Sequence, residues 1–223
     1  RERAGHVVVR TAGDTWQVRA LVACAGLQAD RVAAACGVAT DLVIAPFRGE
    51  YYRLAPHRLS LVRNLIYPVP DPRFPFLGVH FTRMATGGVE AGPNAVMALA
   101  REGYTWSDVS AGDLAGALAS RGVRRFVLRH LRTGVTEMRR SFSKRLFAAT
   151  LARLVPALTA DDLVPGGSGV RAMALTPEGA MADDFQFVET ARMVHVLNAP
   201  SPAATACLAI GEEIASRVMT RLA

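Results

Sequence analysis

The fold is decided by a stretch near the end of the sequence, His195-Val-Leu-Asn-Ala-Pro-Ser-Pro-Ala-Ala-Thr-Ala-Cys-Leu-Ala-Ile-Gly-Glu-Glu-Ile214. Its apolar opening predicts a buried strand over 194–197. Ser201 is a typical helix N-cap, and Pro202 suits the first helical position because its missing N–H costs nothing there. Small residues, Ala203 to Ala206, then form the first predicted turn, whose free N–H groups would suit a phosphate or an anionic ring edge. A well-capped structural helix is the alternative.

The start of the sequence has the pattern of a nucleotide-binding βα unit. Val7-Val8-Val9 and the run from Trp16 to Ala23 predict two strands joined by a turn. The second strand is followed by Cys24-Ala25-Gly26 and then by a helical run from Asp30 to Ala35. A buried strand, a small-residue turn and a helix let the backbone approach a dinucleotide. A strand-end turn without a ligand is the alternative.

The middle of the sequence predicts a mostly antiparallel sheet. A buried strand at Leu42–Ala45 is interrupted at Pro46–Gly49, and Glu50–Leu54 and Leu65–Val69 follow as short strands. In the next strand, Phe76–Arg83, alternation puts Leu77, Val79 and Phe81 on one face, and on the other face Phe76, Gly78, His80 and Thr82.

One histidine in this alternating strand is a candidate functional residue. The period of two places Val79 and Phe81 on one face and Gly78 and His80 on the other. A histidine beside a glycine leaves room for a ligand above the strand, so His80 is a candidate catalytic base; a structural histidine is the alternative.

Helices are predicted mainly after this sheet. Ala95–Arg101 is expected to form a short helix, and residues 111–154 a helical region in which Thr133 opens the segment Val135–Leu154. Apolar residues mixed with arginines predict an amphipathic cover on the sheet. A membrane-facing role of the basic run Arg121–Arg145 is the alternative.

A glycine-rich motif follows a predicted helix start at Thr159–Asp162. Gly167-Ser-Gly-Val-Arg-Ala172 matches the GxGxxG/A pattern in form. It precedes a strand instead of opening a helix, so it is not interpreted as a dinucleotide fingerprint. Thr176–Gly179 then predicts a hairpin turn.

The composition fits a chain that buries a real core. The 223 residues are 51% hydrophobic, with a mean hydropathy of +0.21. No apolar run reaches the roughly 18 residues of a membrane span, and no signal peptide opens the sequence. Three scattered cysteines without CxxC spacing fit a reducing compartment and argue against a disulfide framework or a metal site. We therefore expect a cytoplasmic protein, with peripheral contact at the inner membrane face left open.

The net charge of +7 raises the question of nucleic-acid binding. Arginines occur along the whole length, and Lys144 is the only lysine. The one local concentration lacks interleaved aromatics and any recognisable binding motif, so no nucleic-acid partner is expected.

Several motifs resemble one family of flavoenzymes. Asn198-Ala-Pro-Ser-Pro-Ala-Ala-Thr205 is similar to the closing motif of the L-2-hydroxyglutarate dehydrogenase/oxidase family, which belongs with glycine oxidase and D-amino acid oxidase among FAD-dependent oxidases. Ala23–Ala33, Gly78–Thr82, Glu90–Tyr104 and the glycine-valine-arginine turn at 169–171 resemble further motifs of that family. The resemblance implies that the chain corresponds to the C-terminal portion of a full-length member, without the first βαβ unit.

This resemblance implies FAD as the cofactor. Its cofactor-binding residues would be small or turn-forming ones at strand ends and at the closing helix: Ala25, Gly26, Arg48, Gly49, Gly169, Val170, Asn198, Ser201, Pro202, Ala203, Ala204 and Thr205. A surface arginine at a domain edge is the alternative for Arg48. No metal is expected.

The resemblance also implies oxidation of a small 2-hydroxy acid, L-2-hydroxyglutarate, to 2-oxoglutarate by hydride transfer to the flavin. His80 would be the base, and Arg171 would bind the 1-carboxylate in a bidentate pair. Arg83, Tyr51 and Tyr52 are candidates for the second carboxylate, without evidence to rank them. The electron acceptor, a quinone or oxygen, stays open.

These inferences define an α/β (α+β) fold of two interleaved parts. Residues 1–45 and 161–223 are expected to belong to a partial, Rossmann-like FAD-binding domain, and 46–160 to an antiparallel-sheet substrate domain covered by helices. A related amino-acid or amine oxidase and a non-catalytic remnant that does not bind FAD are the alternative functions.

Overall fold

A computed structural model describes residues 1–69, 78–200 and 203–222. Within them the strands, numbered in chain order, are β1 (Glu2–Arg3), β2 (His6–Arg10), β3 (Thr15–Val18), β4 (Leu21–Ala23), β5 (Val43–Leu54), β6 (His80–Arg83), β7 (Val89–Gly92), β8 (Val96–Met97), β9 (Leu163–Leu175), β10 (Gln186–Glu189) and β11 (Met193–Asn198). The α-helices are α1 (Ala29–Ala35), α2 (Ala111–Ala119), α3 (Arg121–Arg129), α4 (Leu131–Phe142), α5 (Lys144–Leu151) and α6 (Cys207–Leu222). The expected mixed α/β class, with mostly antiparallel sheets, is confirmed.

The chain folds as two compact units. The first unit comprises Arg1–Ala45, Leu118–Arg125 and Ala172–Ala223, and the second comprises Pro46–Ala117 and Phe126–Arg171. Two segments, 118–125 and 161–171, therefore fall in a different unit from the one expected from the sequence. The division into functional domains stays a prediction.

The first unit contains two small sheets around one core. Strands β1, β2 and β3 form an antiparallel sheet, and β10, β11 and β4 form the other, in which β11 and β4 are parallel. Ala29 and Ala33 of α1 pack with Val7, Met193 and Leu197 in the core. Small residues on α1 permit this close approach of helix and sheet.

The second unit is built on a five-stranded sheet. Its strand order is β6-β7-β5-β8, with β9 also paired to β5. The pairs Tyr52↔Ala91 and Arg48↔Val96 show that β7 and β8 pair with β5 in registers that differ by one residue. An extra residue therefore lies between β7 and β8, as in a β-bulge.

One face of this sheet is covered by α5. Phe81 and Ala91 lie on that face and pack with Phe147 and Leu151 of the helix in the unit's core. Ser143 caps α5, because its side chain accepts the N–H of Leu146. The expected helical cover is present, although Leu146 itself is exposed.

Three strand predictions need correction. The run from Trp16 to Ala23 forms two strands in different sheets, because β3 pairs with β2 and β4 pairs with β11. Pro46–Gly49 does not interrupt the next strand, since the carbonyl of Pro46 accepts the N–H of Ala98 within the sheet. Leu65–Val69 forms only an isolated bridge, Ile66 to Phe81.

Three helix predictions also need correction. Ala95–Arg101 is not helical; Val96 and Met97 form β8 because pairing with β5 outweighs the helix propensity of alanine. Thr133 lies inside α4, which begins at Leu131. The last helix begins at Cys207, and Ala203–Ala206 form turns before it.

Other turn predictions are confirmed. Thr159 and Asp162 form a reciprocal capping box on a short 3₁₀ helix. At 176–179, the N–H of Gly179 donates to the carbonyl of Thr176 in the expected turn. In the described part of the chain, no helix is long and apolar enough to cross a membrane.

Candidate active site

His80 lies on the sheet face opposite the helix-covered core. Phe81, next to it on β6, points into the core and is fully buried. Phe81 pairs with Ala91 and His80 pairs with Gly92. Because directly paired residues of antiparallel strands share a face, His80 and Gly92 lie on the side away from α5. The alternation predicted for Val79, His80 and Phe81 is thus the one observed.

The hydrogen bonding of His80 fixes which ring nitrogen carries a proton. Nδ1 lies 3.0 Å from the carbonyl oxygen of Gly78. A carbonyl oxygen only accepts, so Nδ1 is the protonated nitrogen and Nε2 keeps its lone pair in the neutral ring. The Tyr67 ring stacks on the imidazole at 4.2 Å and holds its plane.

The surroundings of His80 favour its neutral form. Burial lowers the pKa of His80 from 6.5, the hydrogen bond to Gly78 opposes that effect, and the charge of Arg171 lowers the pKa further. A neutral imidazole with a free lone pair is the form that a general base requires at neutral pH.

Arg171 lies in the same unit as His80 and close enough to influence its titration. It stands near the end of β9, after Gly169 and Val170, and is half-buried. A Cβ atom added at Gly169 would meet nothing within 4 Å. The structure therefore brings the predicted base and the predicted carboxylate-binding arginine into one neighbourhood.

The three candidates for the second carboxylate do not share one face of the sheet. Tyr52 pairs with Ala91 on the core face, where its ring meets Phe147 edge-on at 4.8 Å. Arg83 is two residues after Phe81, so strand alternation also places it on the core face; its Nη1 donates to the carbonyl of Val62 at 3.3 Å. Tyr51 neighbours Tyr52 in β5 and therefore lies on the opposite face of the sheet. Of the three candidates, it alone shares the face of His80.

The titration of Tyr52 agrees with a core position. Burial, followed by the charge of Glu50, raises the pKa of Tyr52 above 10.0. Its phenol therefore stays neutral at physiological pH.

Arg48 is a buried structural residue. Its side chain is 0% exposed, which overturns the alternative of a surface arginine. The guanidinium forms an ion pair with Glu50 at 3.1 Å, donates to the carbonyl of Thr105 at 2.9 Å and lies 4.3 Å above the Trp106 ring. These contacts hold the guanidinium inside the second unit, although its Nη2, which is ion-paired with Glu50, has no hydrogen-bond partner among the described residues.

Two further polar residues that the sequence did not single out, Asn94 and Ser141, complete this cluster. Asn94 donates to Glu50 Oε2 at 2.8 Å and accepts the backbone N–H of Glu50 at 2.8 Å. Ser141 donates to the same carboxylate oxygen, and its own oxygen accepts the indole N–H of Trp106 at 3.0 Å. Asn94 and Glu50 are distant in sequence, so their pairing had no local signal.

Gly49 is required by close backbone packing. A Cβ atom there would lie 2.7 Å from the Cβ of Pro93, well inside contact distance. Gly49 therefore permits the bulged β7–β8 segment to approach β5.

In the first unit, predicted cofactor-binding residues meet at one sheet edge. The parallel register His195↔Ala23 brings the carboxyl ends of β4 and β11 to the same side. Gly26 follows β4 with φ +52° and open space where a Cβ would be, and Asn198 ends β11. The carboxyl edge of parallel strands is where such sheets bind ligands, and this edge fits a dinucleotide.

Asn198 has a structural role at this edge. Its side-chain amide donates to the carbonyls of Ala182 at 3.0 Å and Asp184 at 2.8 Å. Ala203, Ala204 and Thr205 follow as turns. Ser201 and Pro202 lie outside the described residues.

A buried histidine was missed by the sequence analysis. His195 is 1% exposed, and neither ring nitrogen has a hydrogen-bond partner among the described residues. Burial lowers its pKa from 6.5. The sequence places this histidine in a predicted apolar strand. Nothing in that pattern indicates that its two ring nitrogens would lack hydrogen-bond partners.

Comparison with protein families assigns the chain to a class. The family described as FAD dependent oxidoreductase matches residues 1–217. The chain therefore belongs to this family of FAD-dependent oxidoreductases.

Curated relatives share a more specific name. The chain is 48% identical to L-2-hydroxyglutarate dehydrogenase of Escherichia coli strain K12 over 223 residues, which are 100% of the chain and 53% of that protein. It is 49% identical to the Salmonella houtenae enzyme of the same name over 218 residues, covering 97% and 52%. Identity to the human mitochondrial enzyme is 41% over 220 residues, covering 96% and 48%. The chain thus spans about half the length of the curated relatives it matches.

Proposed function

We propose that this chain forms the base-bearing part of an FAD-dependent L-2-hydroxyglutarate dehydrogenase, which oxidises the substrate to 2-oxoglutarate. The relatives named for that activity align with the whole chain. The observation that carries the proposal is the state of His80: its Nδ1 is tied to the Gly78 carbonyl, its pKa is lowered, and Arg171 lies nearby.

His80 acts as the general base in this proposal. When the substrate binds, the lone pair of His80 Nε2 accepts the proton of the C2 hydroxyl. The chemistry that bound FAD would supply is that of a hydride acceptor for C2. The hydrogen bond from Nδ1 to Gly78 stabilises the imidazolium that forms and keeps the ring in the required orientation.

Arg171 binds the 1-carboxylate. A planar guanidinium forms two parallel hydrogen bonds with a carboxylate and so fixes the orientation of the neighbouring C2 atom. A charged hydrogen bond contributes about 1.5–3 kcal/mol. Tyr51 is the proposed contact for the second carboxylate, because it lies on the sheet face of His80.

The FAD contacts are assigned to two sets of residues. Ala25, Gly26 and Asn198 lie at the carboxyl edge of the parallel strands, where backbone groups can approach a dinucleotide. Ala203, Ala204 and Thr205 precede α6, and their small side chains leave room for a ring system.

Anaerobic titration of the purified full-length flavoprotein tests the proposal. L-2-Hydroxyglutarate should bleach the flavin absorption band, and 2-oxoglutarate should form in equal amount. The D enantiomer and L-glutamate serve as controls. Bleaching by L-glutamate but not by the hydroxy acid would replace this function with amino-acid oxidation, and a colourless protein that does not take up FAD would indicate a non-catalytic remnant.

The electron acceptor is proposed to be oxygen or a quinone. Reoxidation of the substrate-reduced flavin by air, compared with a soluble quinone under argon, separates the two. The faster reaction identifies the acceptor.

A further inference from the structure

Tyr67 covers one side of the His80 ring. The centroids of the two rings lie 4.2 Å apart, and their planes are inclined by only 19°. The imidazole therefore lies flat on the π face of the phenol ring. His80 is 8% exposed, whereas Tyr67 is 46% exposed. Tyr67 thus shields one side of the histidine from solvent.

A short backbone pairing holds Tyr67 in this place. The N–H of Ile66 donates to the carbonyl of Phe81 at 3.1 Å, and the N–H of Phe81 donates to the carbonyl of Ile66 at 2.9 Å. Ile66 packs against the core cluster that contains Phe81. Because successive residues of an extended segment point to opposite faces, Tyr67 lies on the face of His80.

The residue after Tyr67, Pro68, packs on the glycine that binds the imidazole. A Cβ atom added at Gly78 would lie 3.2 Å from the Cγ of Pro68. The carbonyl oxygen of the same glycine is 3.0 Å from Nδ1 of His80. The room that Gly78 leaves is therefore occupied by the segment that carries Tyr67, and this segment is fixed on both sides of the tyrosine.

The charged and titratable groups that face His80 from the neighbouring strands do not favour its protonated form. Arg171 of β9 carries the same charge as an imidazolium and lowers the pKa of His80. Arg53 and Glu90, one row further along the sheet, form an ion pair at 3.5 Å. Tyr51 of β5 adds a phenol to this face. The pKa of His80 is not raised by any described carboxylate.

We propose that Tyr67 is a positioning residue for the base and that its π face stabilises the imidazolium of His80. The proposal rests on the proposed function, in which His80 accepts the hydroxyl proton, and adds a residue that acts through His80. A cation over an aromatic ring is attracted by the negative face of the π system. Two neutral rings gain less from face-to-face stacking. Tyr67 therefore favours the charged form of His80 that appears during the reaction.

Titration of His80 by NMR in the purified full-length flavoprotein tests this contact without turnover, with His80→Gln to assign the signals. Tyr67→Leu keeps an apolar cover but loses the π face, so the titration midpoint of His80 should move about 0.5 pH unit to the acid side. Tyr67→Met, which also lacks a π face, should behave in the same way. Tyr67→Phe keeps the π face and should titrate as the wild type does.

Steady-state kinetics measure the consequence for oxidation of L-2-hydroxyglutarate. Tyr67→Leu should lower kcat about three- to tenfold with little change in KM, because the imidazolium loses stabilisation in the transition state. The acid limb of its kcat/KM profile should move with the His80 titration. Tyr67→Phe should retain the wild-type values.

Tyr104→Leu is the matched control. Tyr104 is 48% exposed and lies in the same unit as Tyr67. Its replacement should change neither the His80 titration nor the kinetics. The flavin content of each variant shows whether the protein is folded and loaded.

An unchanged His80 titration in Tyr67→Leu and Tyr67→Met would overturn the proposal. Equal losses of kcat in Tyr67→Phe and Tyr67→Leu would also overturn it, because they would assign the role to the phenol hydroxyl. A higher KM at unchanged kcat would make Tyr67 a substrate contact instead. A wild-type enzyme that does not oxidise the hydroxy acid would refute the proposed function, whereas the NMR comparison would still decide whether Tyr67 stabilises the imidazolium.

Discussion

The imidazole of His80 is held by the carbonyl oxygen of Gly78, 3.0 Å from Nδ1. Gly78, two residues before the ring and just ahead of β6, thereby determines the tautomer and the orientation of the imidazole. Since Phe81 anchors the opposite face of the strand in the core, the position of this base is fixed by ordinary sheet packing.

Replacing His80 tests its role as a base. In the full-length enzyme, His80→Ala should lower turnover on the order of 10²–10⁴-fold, the typical contribution of a general base. Because burial and Arg171 lower the pKa of His80, wild-type kcat/KM should hold below pH 6.5 and fall only at more acidic pH. His57→Ala, which removes an exposed histidine, should leave both unchanged. A loss below about fivefold in His80→Ala would exclude this role.

Breaking the buried Arg48–Glu50 pair should strongly destabilise the protein. Arg48→Met leaves the Glu50 carboxylate, whose side chain is 21% exposed, without its cation, and because part of this charge stays hydrated the loss should cost about 2–3 kcal/mol, below the range for a fully buried pair. The matched change Arg53→Met affects an exposed arginine 3.5 Å from Glu90 and should cost at most about 1 kcal/mol. Urea unfolding of both variants measures the difference, and equal costs would contradict the structural role of Arg48.

The sequence predicts those parts of the fold that depend on local pattern. Alternation around His80 places it correctly because a strand has a period of two. The capping box of Thr159 and Asp162 is likewise a local device, with both partners within three residues.

Long-range pairing explains what the sequence does not predict. Ala95–Arg101 has the composition of a helix, but β8 forms there because β5 supplies its hydrogen-bonding partner. The Glu50–Asn94 pairing that completes the buried cluster joins segments far apart in the sequence. The face shared by His80 and Tyr51, but not by Tyr52 or Arg83, likewise follows from strand register and from no single motif.

The close packing around Gly49 predicts that adding one methyl group at this position destabilises the fold. Gly49→Ala would place a Cβ atom 2.7 Å from the Cβ of Pro93, and the required backbone shift should cost about 1–3 kcal/mol. Gly116→Ala is the matched control, because its Cβ would meet nothing within 4 Å on α2 and alanine favours a helix by about 1 kcal/mol. Thermal unfolding should therefore show opposite shifts, and a stabilised Gly49→Ala variant would contradict the packing.

The isolated His195 predicts how stability depends on pH. Its folded-state pKa is lowered by burial, so the unfolded chain binds the proton more readily. The contribution of neutral His195 to the free energy of unfolding is therefore fully present above pH 6.5. It is lost as pH falls from 6.5 toward the folded-state pKa.

Replacement of His195 isolates that contribution. His195→Leu removes two buried nitrogens that have no partner among the described residues, so it should cost little above pH 6.5 and should reduce the loss of stability below it. His80 shifts in the same direction, but its effect cancels when the variant is compared with wild type at each pH. Urea unfolding across this pH range measures the difference, with His57→Leu as an exposed control that should keep the wild-type slope. An unchanged slope in His195→Leu would mean that His195 acquires a hydrogen-bond partner in the full-length protein, which also keeps its pKa near the ordinary value.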